Sequence, residues 1–407
     1  MSQNERKLLW ISEIAPYEGI PHAGGKIHNY LLKFFHRHAF FHCFLISFVE
    51  RDCLKKLDLD DFQIPYNINI IEKGRHISVI MRKIINTLFG VTKLIGLSSV
   101  WYMFCVYKAA SKYKKQNGCP EVVILHWTYM VNQIFWLKRL FPKSKFVCIE
   151  EDVTFLKKKR IYDNACAILK FFKYPFFELF KKIEIFSLNL CDLVVLNNEK
   201  DEKLVAMENV NVDKMFICHP FFQNMSHLQC KCSSKDILFY GAMDRAENYR
   251  SAIWFIETVF PKLEEFGFRF IVVGNKPHES LKKYDNGRNI CVTGFVEDIS
   301  PFFQNSLCLV APLLLGAGIK IKIIEAMSCG LPVLTNEIGI EGIPAENGKE
   351  YFFCSKADEY KDAIFKLSSN AELGAEMGMN AKSFIQKNFN YQQDAEILYK
   401  KICAFVS

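Results

Sequence analysis

"APLLLGAGIKIKIIEAMSCGLPVLTN", residues 311–336, is the stretch on which the fold turns. An apolar run breaks at glycine, an apolar helical stretch follows, and a second short run, "LPVLTN", closes the series. Strand, loop, helix and strand in that order are the grammar of a parallel sheet with crossover helices. Two lysines, Lys320 and Lys322, stand between the glycine turn and a helix whose one acid is Glu325. A solvated helix start favours acids, because the helix dipole is positive there. Lysines at that point fit an anionic ligand held jointly by free backbone N–H groups and ammonium charge. They fit equally a turn whose lysines reach water.

The same pattern extends in both directions. Apolar runs recur at 7–12 ("KLLWIS"), 40–48 ("FFHCFLISF"), 121–127 ("EVVILHW"), 145–152 ("KFVCIEED") and 191–198 ("CDLVVLNN"), with helical stretches between them. A second series begins at 235–243 ("KDILFYGAM") and continues at 268–275, 289–295, 306–312 and 331–336. Uninterrupted apolar runs mark strands buried on both faces. The polar stretch "QNMSHLQCKCSSK" separates the two series, and the chain closes on amphipathic helices. The reading is α/β throughout: two doubly wound, Rossmann-like domains in tandem, joined near residues 220–235. Its bounds are 1–225 for the first domain, 226–390 for the second, and 391–407 for a terminal helix able to pack back on the first. Ligands in such sheets lie beyond the carboxyl ends of the strands, so two facing sheets imply a cleft.

A chain of 407 residues has room for two full cores, and 50% hydrophobic with 24% charged residues is an ordered, globular composition. The net charge of +8 is uneven: residues 1–200 hold 30 Lys+Arg against 18 Asp+Glu, the remainder 22 against 26. One basic face, not a nucleic-acid coat, follows from that split. The fifteen cysteines are odd in number and many lie inside apolar runs, as Cys43, Cys105, Cys148, Cys191 and Cys308 do. They read as small hydrophobes in a reducing cytoplasm, not as a disulfide framework. "MSQNERKLLWISEIAPY" has charge at the front and no long apolar core, unlike a signal peptide. Cys230 and Cys232 form one C-x-C with no second pair, so zinc is not expected.

Redox and ATPase chemistries lack their signatures. "GAGIKI" has isoleucine where a dinucleotide fingerprint needs its third glycine, and it follows a late strand; no Walker A sequence occurs. Instead "GAGIKIKIIEAMSCGLPVLT", "FYGAMDRAENYRSAIWFIETVFP" and "APYEGIPHAGGKIHNYLLKF" together resemble the retaining glycosyltransferases of family 4. The resemblance spans nearly the whole chain and is weakest between about 50 and 120. It implies the GT-B fold and transfer of a sugar from a nucleotide-sugar donor to a glycan or lipid-linked acceptor.

Carried over residue by residue, the family motif has two glutamates separated by seven residues. The second is Glu325, expected to accept from the donor's ribose hydroxyls; the first falls on Ala317 and is missing. The family's diphosphate-gripping Arg and Lys positions read Ala242 and Glu247. Both departures recur in a sub-branch with a "GAGIK" loop (Gly318, Ile319, Lys320), where Lys320 or Lys322, helped by Arg245 or Arg250, supplies the missing charge. Lys320 is expected as the principal contact, since on a helix two residues' separation turns Lys322 roughly 200° away. Fixed cations stabilising a leaving diphosphate need no metal, and no D-x-D signature with flanking apolar strands is visible.

In the first domain, Gly24 and Gly25 lie in the loop after the first strand. Glycine permits close backbone approach to a ligand, or simply a flexible loop; the resemblance implies that this loop faces the donor phosphate and the acceptor. His126 ends a strand, where a site would lie, though a lone histidine is also a common structural residue; the resemblance implies that it is catalytic and contacts the donor sugar. Of Glu150, Glu151 and Asp152, one, Glu151 for choice, contacts the acceptor, unless the three form a solvated turn.

Residues 157–182 hold eight Lys/Arg, two acids and the aromatics Phe171, Phe172, Phe176, Phe177 and Phe180. That composition suits an anionic membrane surface, or a core helix with solvated lysines. "LFGVTKLIGLSSVWYMFCVY" (88–107) contains Lys93 and small polar residues and reads as a buried or interfacial helix, not a span. The expectation is a cytoplasmic transferase, peripheral on the inner leaflet. Its alternatives are a non-catalytic nucleotide-sugar-binding partner in a polysaccharide assembly and a nucleotide-sugar epimerase of the same fold.

Overall fold

The computed structural model describes residues 6–20, 22–72, 97–163, 167–230, 234–316 and 318–406, with isolated positions between 80 and 92. Position 317, where the first motif glutamate is missing, lies outside the described residues, as do most of positions 88–96 and the side chains of Phe171 and Phe172. The chain divides into two compact units, Met1–Phe221 with Tyr391–Ser407, and Phe222–Asn390.

The sheet of the first unit contains β1 (Arg6–Ser12), β2 (Phe41–Glu50), β3 (Tyr66–Ile71), β4 (Val122–His126), β5 (Lys145–Ile149), β6 (Leu193–Leu196) and β7 (Met215–Ile217). They lie in the order β3-β2-β1-β4-β5-β6-β7, every pairing parallel. Leu8 to Ile11 are fully buried, so the uninterrupted apolar run is a strand covered on both faces. Alternation then sorts the side chains. Leu8 and Trp10 enter a core with Ile27, Leu31 and Phe35 of α1 (Ala23–Arg37). Leu9 and Ile11 enter another with Val106 and Tyr113 of α2 (Val100–Asn117) and Ile134 of α3 (Ile134–Leu140).

The basic aromatic segment is two helices, α4 (Thr154–Asp163) and α5 (Ala167–Leu190). Phe180 is a core residue with the Lys158 ammonium 5.3 Å from its ring centroid, Phe177 stacks on Tyr162 at 5.7 Å, and Phe176 and Tyr174 are exposed. Among the described residues, no helix is long and apolar enough to cross a membrane.

In the second unit β8 (Asp236–Tyr240), β9 (Arg269–Val273), β10 (Ile290–Gly294), β11 (Cys308–Ala311), β12 (Val333–Thr335) and β13 (Phe352–Phe353) pair in parallel, in the order β10-β9-β8-β11-β12-β13. Beyond α6 (Glu199–Met207), its named helices are α7 (Ala246–Thr258), α8 (Ile321–Cys329), α9 (Ala357–Ser369) and α10 (Ala371–Asn388). Each sheet winds outward in both directions from a central pair, β1 with β4 and β8 with β11. The loops leaving those two strands diverge and open a crevice at their carboxyl ends.

The last helix, α11 (Tyr391–Cys403), belongs to the first unit, where Ala395, Leu398, Tyr399 and Ile402 complete the core around α1. His219 anchors its first turn: both the His219 N–H, at 3.0 Å, and its ring Nδ1, at 2.7 Å, meet the Asp394 carboxylate. We expect Leu398→Ala to destabilise the first unit by about 2–5 kcal/mol, the cost of an apolar cavity. Denaturant unfolding should show one transition shifted and that of the second unit unchanged.

Candidate functional site

The divergence point of the second sheet collects positive charge. Chain leaving β11 turns through Gly318, whose φ of +69° suits glycine, and α8 begins at Ile321 with Lys320 as its cap. The Lys320 ammonium donates to the Gly318 carbonyl and lies 3.9 Å from the Glu341 carboxylate. Lys322 donates to Asn248 Oδ1 at 2.6 Å, and Asn248 Nδ2 donates to the Ala242 carbonyl at 2.8 Å. Asn248 sits on α7, which follows β8, so the Lys322–Asn248 bond spans the two diverging loops.

The Lys322 ammonium also lies 4.8 Å from the Phe239 ring centroid. Desolvation, then repulsion from Lys320 and Arg245, pulls its pKa down to about 7, against weaker attraction from Glu247 and Glu325. The expected 200° separation of the two lysines does not apply. Lys320 has an extended backbone (φ −100°, ψ 95°) ahead of the helix, so the two charges act on one another.

Glu325 is buried in the same helix. Tyr240 O–H donates to its Oε2 at 2.6 Å and the Gln223 N–H to its Oε1 at 3.2 Å. Burial, reinforced by Glu325, raises the Tyr240 pKa well above its usual value, so the phenol stays a donor. Arg245 caps α7, is half-exposed and pairs with Glu247. Arg250 is exposed; its guanidinium lies 6.0 Å from the Tyr249 ring, which stacks on His278. Gly318 is buried and Ile319 half-buried. The structure thus brings Lys320, Lys322, Glu325 and Arg245 into one electrostatic cluster, while Arg250 joins a surface stack.

The first sheet carries a different chemistry at the equivalent point. His126, the last residue of β4, lies in register beside Ser12 at the end of β1, and it is fully buried. Its Nε2 is 2.5 Å from Glu151 Oε1. Burial lowers the His126 pKa to about 3, and burial with the Asp152 charge raises that of Glu151 well above a normal carboxyl. Both directions describe a neutral pair joined by one hydrogen bond. Asn197 Nδ2 fixes the turn by donating to the Glu151 carbonyl at 2.8 Å.

A side chain at Gly24 would place Cβ 3.1 Å from Trp127 Nε1 and 3.4 Å from the Glu151 carboxyl carbon. One at Gly25 would collide with Ile20 and His22, whose Nδ1 accepts from the Gly25 N–H at 2.9 Å. Gly24, Gly25, His126 and Glu151 therefore meet in one place. Trp127 has φ +75°, a conformation that costs a non-glycine residue about 1–3 kcal/mol.

The solvated-turn reading of the acids fails for two of them. Glu150 is buried, takes the Thr128 hydroxyl proton as a hydrogen bond, and is raised by desolvation to about 8. His28 was not foreseen. Buried on α1, it bonds the Ile14 carbonyl through Nδ1 at 3.1 Å, and its ring lies 4.8 Å from that of His126. The available signal was its spacing, three residues after Gly25, which sets it on the next helical turn. Tyr240, Asn248, Asn197 and Trp127 carried no comparable signal, because each acts through a partner distant in sequence.

Residues 234–370, within the second unit, match the family described as glycosyl transferases group 1. An uncharacterized 44.6 kDa protein in the cps region of Klebsiella pneumoniae is 25% identical over 307 residues, 70% of this chain and 75% of the relative. The sucrose-phosphate synthase of Thermosynechococcus elongatus superposes with a TM-score of 0.70 at 12% identity, covering 98% of this chain and all of the other. HepE of Anabaena, solved with UDP and glucose, gives 0.66 at 12% identity over 98% of this chain and all of the other. At such identities the likeness establishes the fold, which is GT-B type.

The buried Glu150 makes stability fall with pH. Its folded pKa of about 8 exceeds the unfolded carboxyl value, so the proton is retained on folding. The stabilisation is complete below the unfolded pKa of about 4.3 and is lost progressively as pH rises towards 8. Urea midpoints measured from pH 5 to 8 should fall steadily, and Glu150→Gln should flatten that dependence.

Proposed function

We propose that this protein is a glycosyltransferase that moves a sugar, with retention, from a nucleotide-sugar donor to a glycan or lipid-linked acceptor in cell-surface polysaccharide synthesis. The observation that carries the reading is the cation cluster of Lys320, Lys322 and Arg245 around a glycine loop and a helix start, inside the stretch matching glycosyl transferases group 1. A depressed lysine pKa among like charges is what a site prepared for a polyanion looks like without it. A nucleoside diphosphate has the required charge, and that charge grows on the leaving oxygen as the glycosidic bond breaks, so fixed cations serve the transition state most.

The reading gives the diphosphate to Lys320 and Lys322, with Lys320 as the principal contact, and the ribose to Glu325; no metal is assigned. His126 and Gly24–Gly25 are given to the sugar and phosphate, and Glu151 to the acceptor. The neutral His126–Glu151 pair, joined across 2.5 Å, keeps a proton beside the strand end without a buried charge. Polysaccharide synthesis is supported by the Klebsiella relative, whose name places it in a cps region, and a UDP-linked donor by HepE, solved with UDP and glucose. The basic half of the chain and the exposed Tyr174 and Phe176 support peripheral attachment to an anionic cytoplasmic membrane surface.

A panel of nucleotide sugars, screened by thermal shift and then by nucleoside diphosphate release with membrane extract, tests the activity. Release from no donor would refute it. The lysine assignment makes a separate, signed expectation. Bound diphosphate should raise the Lys322 pKa above its free value of about 7, so binding takes up a proton at pH 8. UDP affinity should be full below pH 7 and weaken towards about tenfold per unit above it. Calorimetry in buffers of differing ionisation enthalpy reads the uptake, and Lys322→Met should remove both effects.

A further inference from the structure

Cys329 is the last residue of α8, the helix that carries Lys322 and Glu325. Its Sγ lies 3.5 Å from the Sγ of Cys230, whose thiol also reaches the Cys329 carbonyl at 3.3 Å. Ninety-nine residues separate the two in sequence. Their approach is built by the backbone. The segment leading to Cys230 runs along α8, with the Gln223 N–H on Glu325 at 3.2 Å and the Met225 N–H on Ser328 Oγ at 3.0 Å. Lys382 of α10 holds the same segment by donating to the Ser226 carbonyl at 2.5 Å. The thiols therefore meet at the end of an ordered run of contacts.

Their environments differ in a useful way. Cys230 is partly exposed, whereas Cys329 is 3% exposed. The Cys230 thiol, the Leu331 backbone and the Lys382 charge favour the Cys329 thiolate and lower its pKa against the opposing effect of burial. One sulfur is open to a reagent, and the other lies close enough to attack it once it has reacted. Joining them requires the sulfurs to close from 3.5 Å to about 2.05 Å.

We propose that Cys230 and Cys329 form a thiol–disulfide exchange site for low-molecular-weight disulfides of the glutathione type. The Cys230 thiolate attacks one sulfur of the small disulfide, forming a mixed disulfide and releasing one thiolate. The Cys329 thiolate then attacks the Cys230 sulfur, forming the internal bond and releasing the second. One small disulfide is reduced to two thiols, two protein thiols are oxidised, and their two protons pass to the departing thiolates. The bond staples residues 223–230 to the end of α8, so the helix holding Glu325 registers the oxidation state.

The test uses the full-length protein, reduced, freed of reductant and incubated with oxidised glutathione. After alkylation and proteolysis, mass spectrometry should find the Cys230 and Cys329 peptides joined, and dithiothreitol should separate them. Cys329→Ser should trap a stable glutathione adduct on Cys230; Cys230→Ser should leave Cys329 unmodified. The melting temperature of the wild type should rise by several degrees on oxidation and return on reduction, with neither variant responding. A persistent glutathione adduct on wild-type Cys230, a link from Cys230 to any other cysteine such as Cys232, or no reaction would each overturn the proposal. None of these readouts depends on transferase activity.

Discussion

A lysine kept out of water without a full countercharge is the constraint around which the second unit is arranged. Lys322 has one neutral hydrogen-bond partner, Asn248, an aromatic face at Phe239, and two repelling cations nearby. A protein interior tolerates that only where a ligand is to supply the missing charge or where the group gives up its proton. A pKa of about 7 places Lys322 at the balance between those outcomes. The surrounding order follows from it: Asn248 is held by the Ala242 carbonyl, and the glycine-lined turn brings Lys320 close instead of one helical step away.

In the first unit, strain and proton placement are concentrated at a single strand end. Trp127 adopts a left-handed backbone immediately after His126, and Gly24 leaves room for its indole. Strain of this kind persists only where neighbours over-determine it. Here the neighbours are the rings of His28 and His126, and the Ile149 carbonyl, which accepts from the Trp127 N–H at 3.0 Å. Replacing Gly24 would press on Trp127 and Glu151 together, which is why a small residue there belongs to the site and not merely to a flexible loop.

The architecture was legible because both sheets are parallel and buried. Runs such as Leu8–Ile11 and Val122–His126 have no solvent-facing alternation, and nothing but a strand covered on two faces accounts for them. The two lysines stood out beside the glycine turn at a helix start and His126 and Glu151 as polar residues at apolar strand ends, whereas Glu325 was picked out by the family resemblance. Their partners were not. Tyr240 and Glu325 are 85 residues apart, and Lys322 and Asn248 are 74 apart; sequence spacing says nothing about such pairs. The acids at 150–152 misled for a related reason. Three adjacent carboxyls look hydrated until Thr128 and His126 appear on the neighbouring strand end to satisfy two of them.

The two crevices share a topology and differ in what burial does to them. Desolvation drives every ionisable group towards its neutral form, which removes the proton from His126 and retains it on Glu151. Those two neutral groups satisfy one another, so the pair is stable as it stands. The same desolvation acts on Lys322, where the attraction of Glu247 and Glu325 is too weak to offset it; on the proposed reading an arriving polyanion restores the charge. The first crevice therefore holds its proton within a neutral pair, and the second, on the proposed reading, takes one up as its ligand binds. Residue type at the strand ends, not the fold, decides between these behaviours. A βαβ frame that positions whatever follows β1 and β4, or β8 and β11, at a divergence of loops leaves that choice to a handful of side chains.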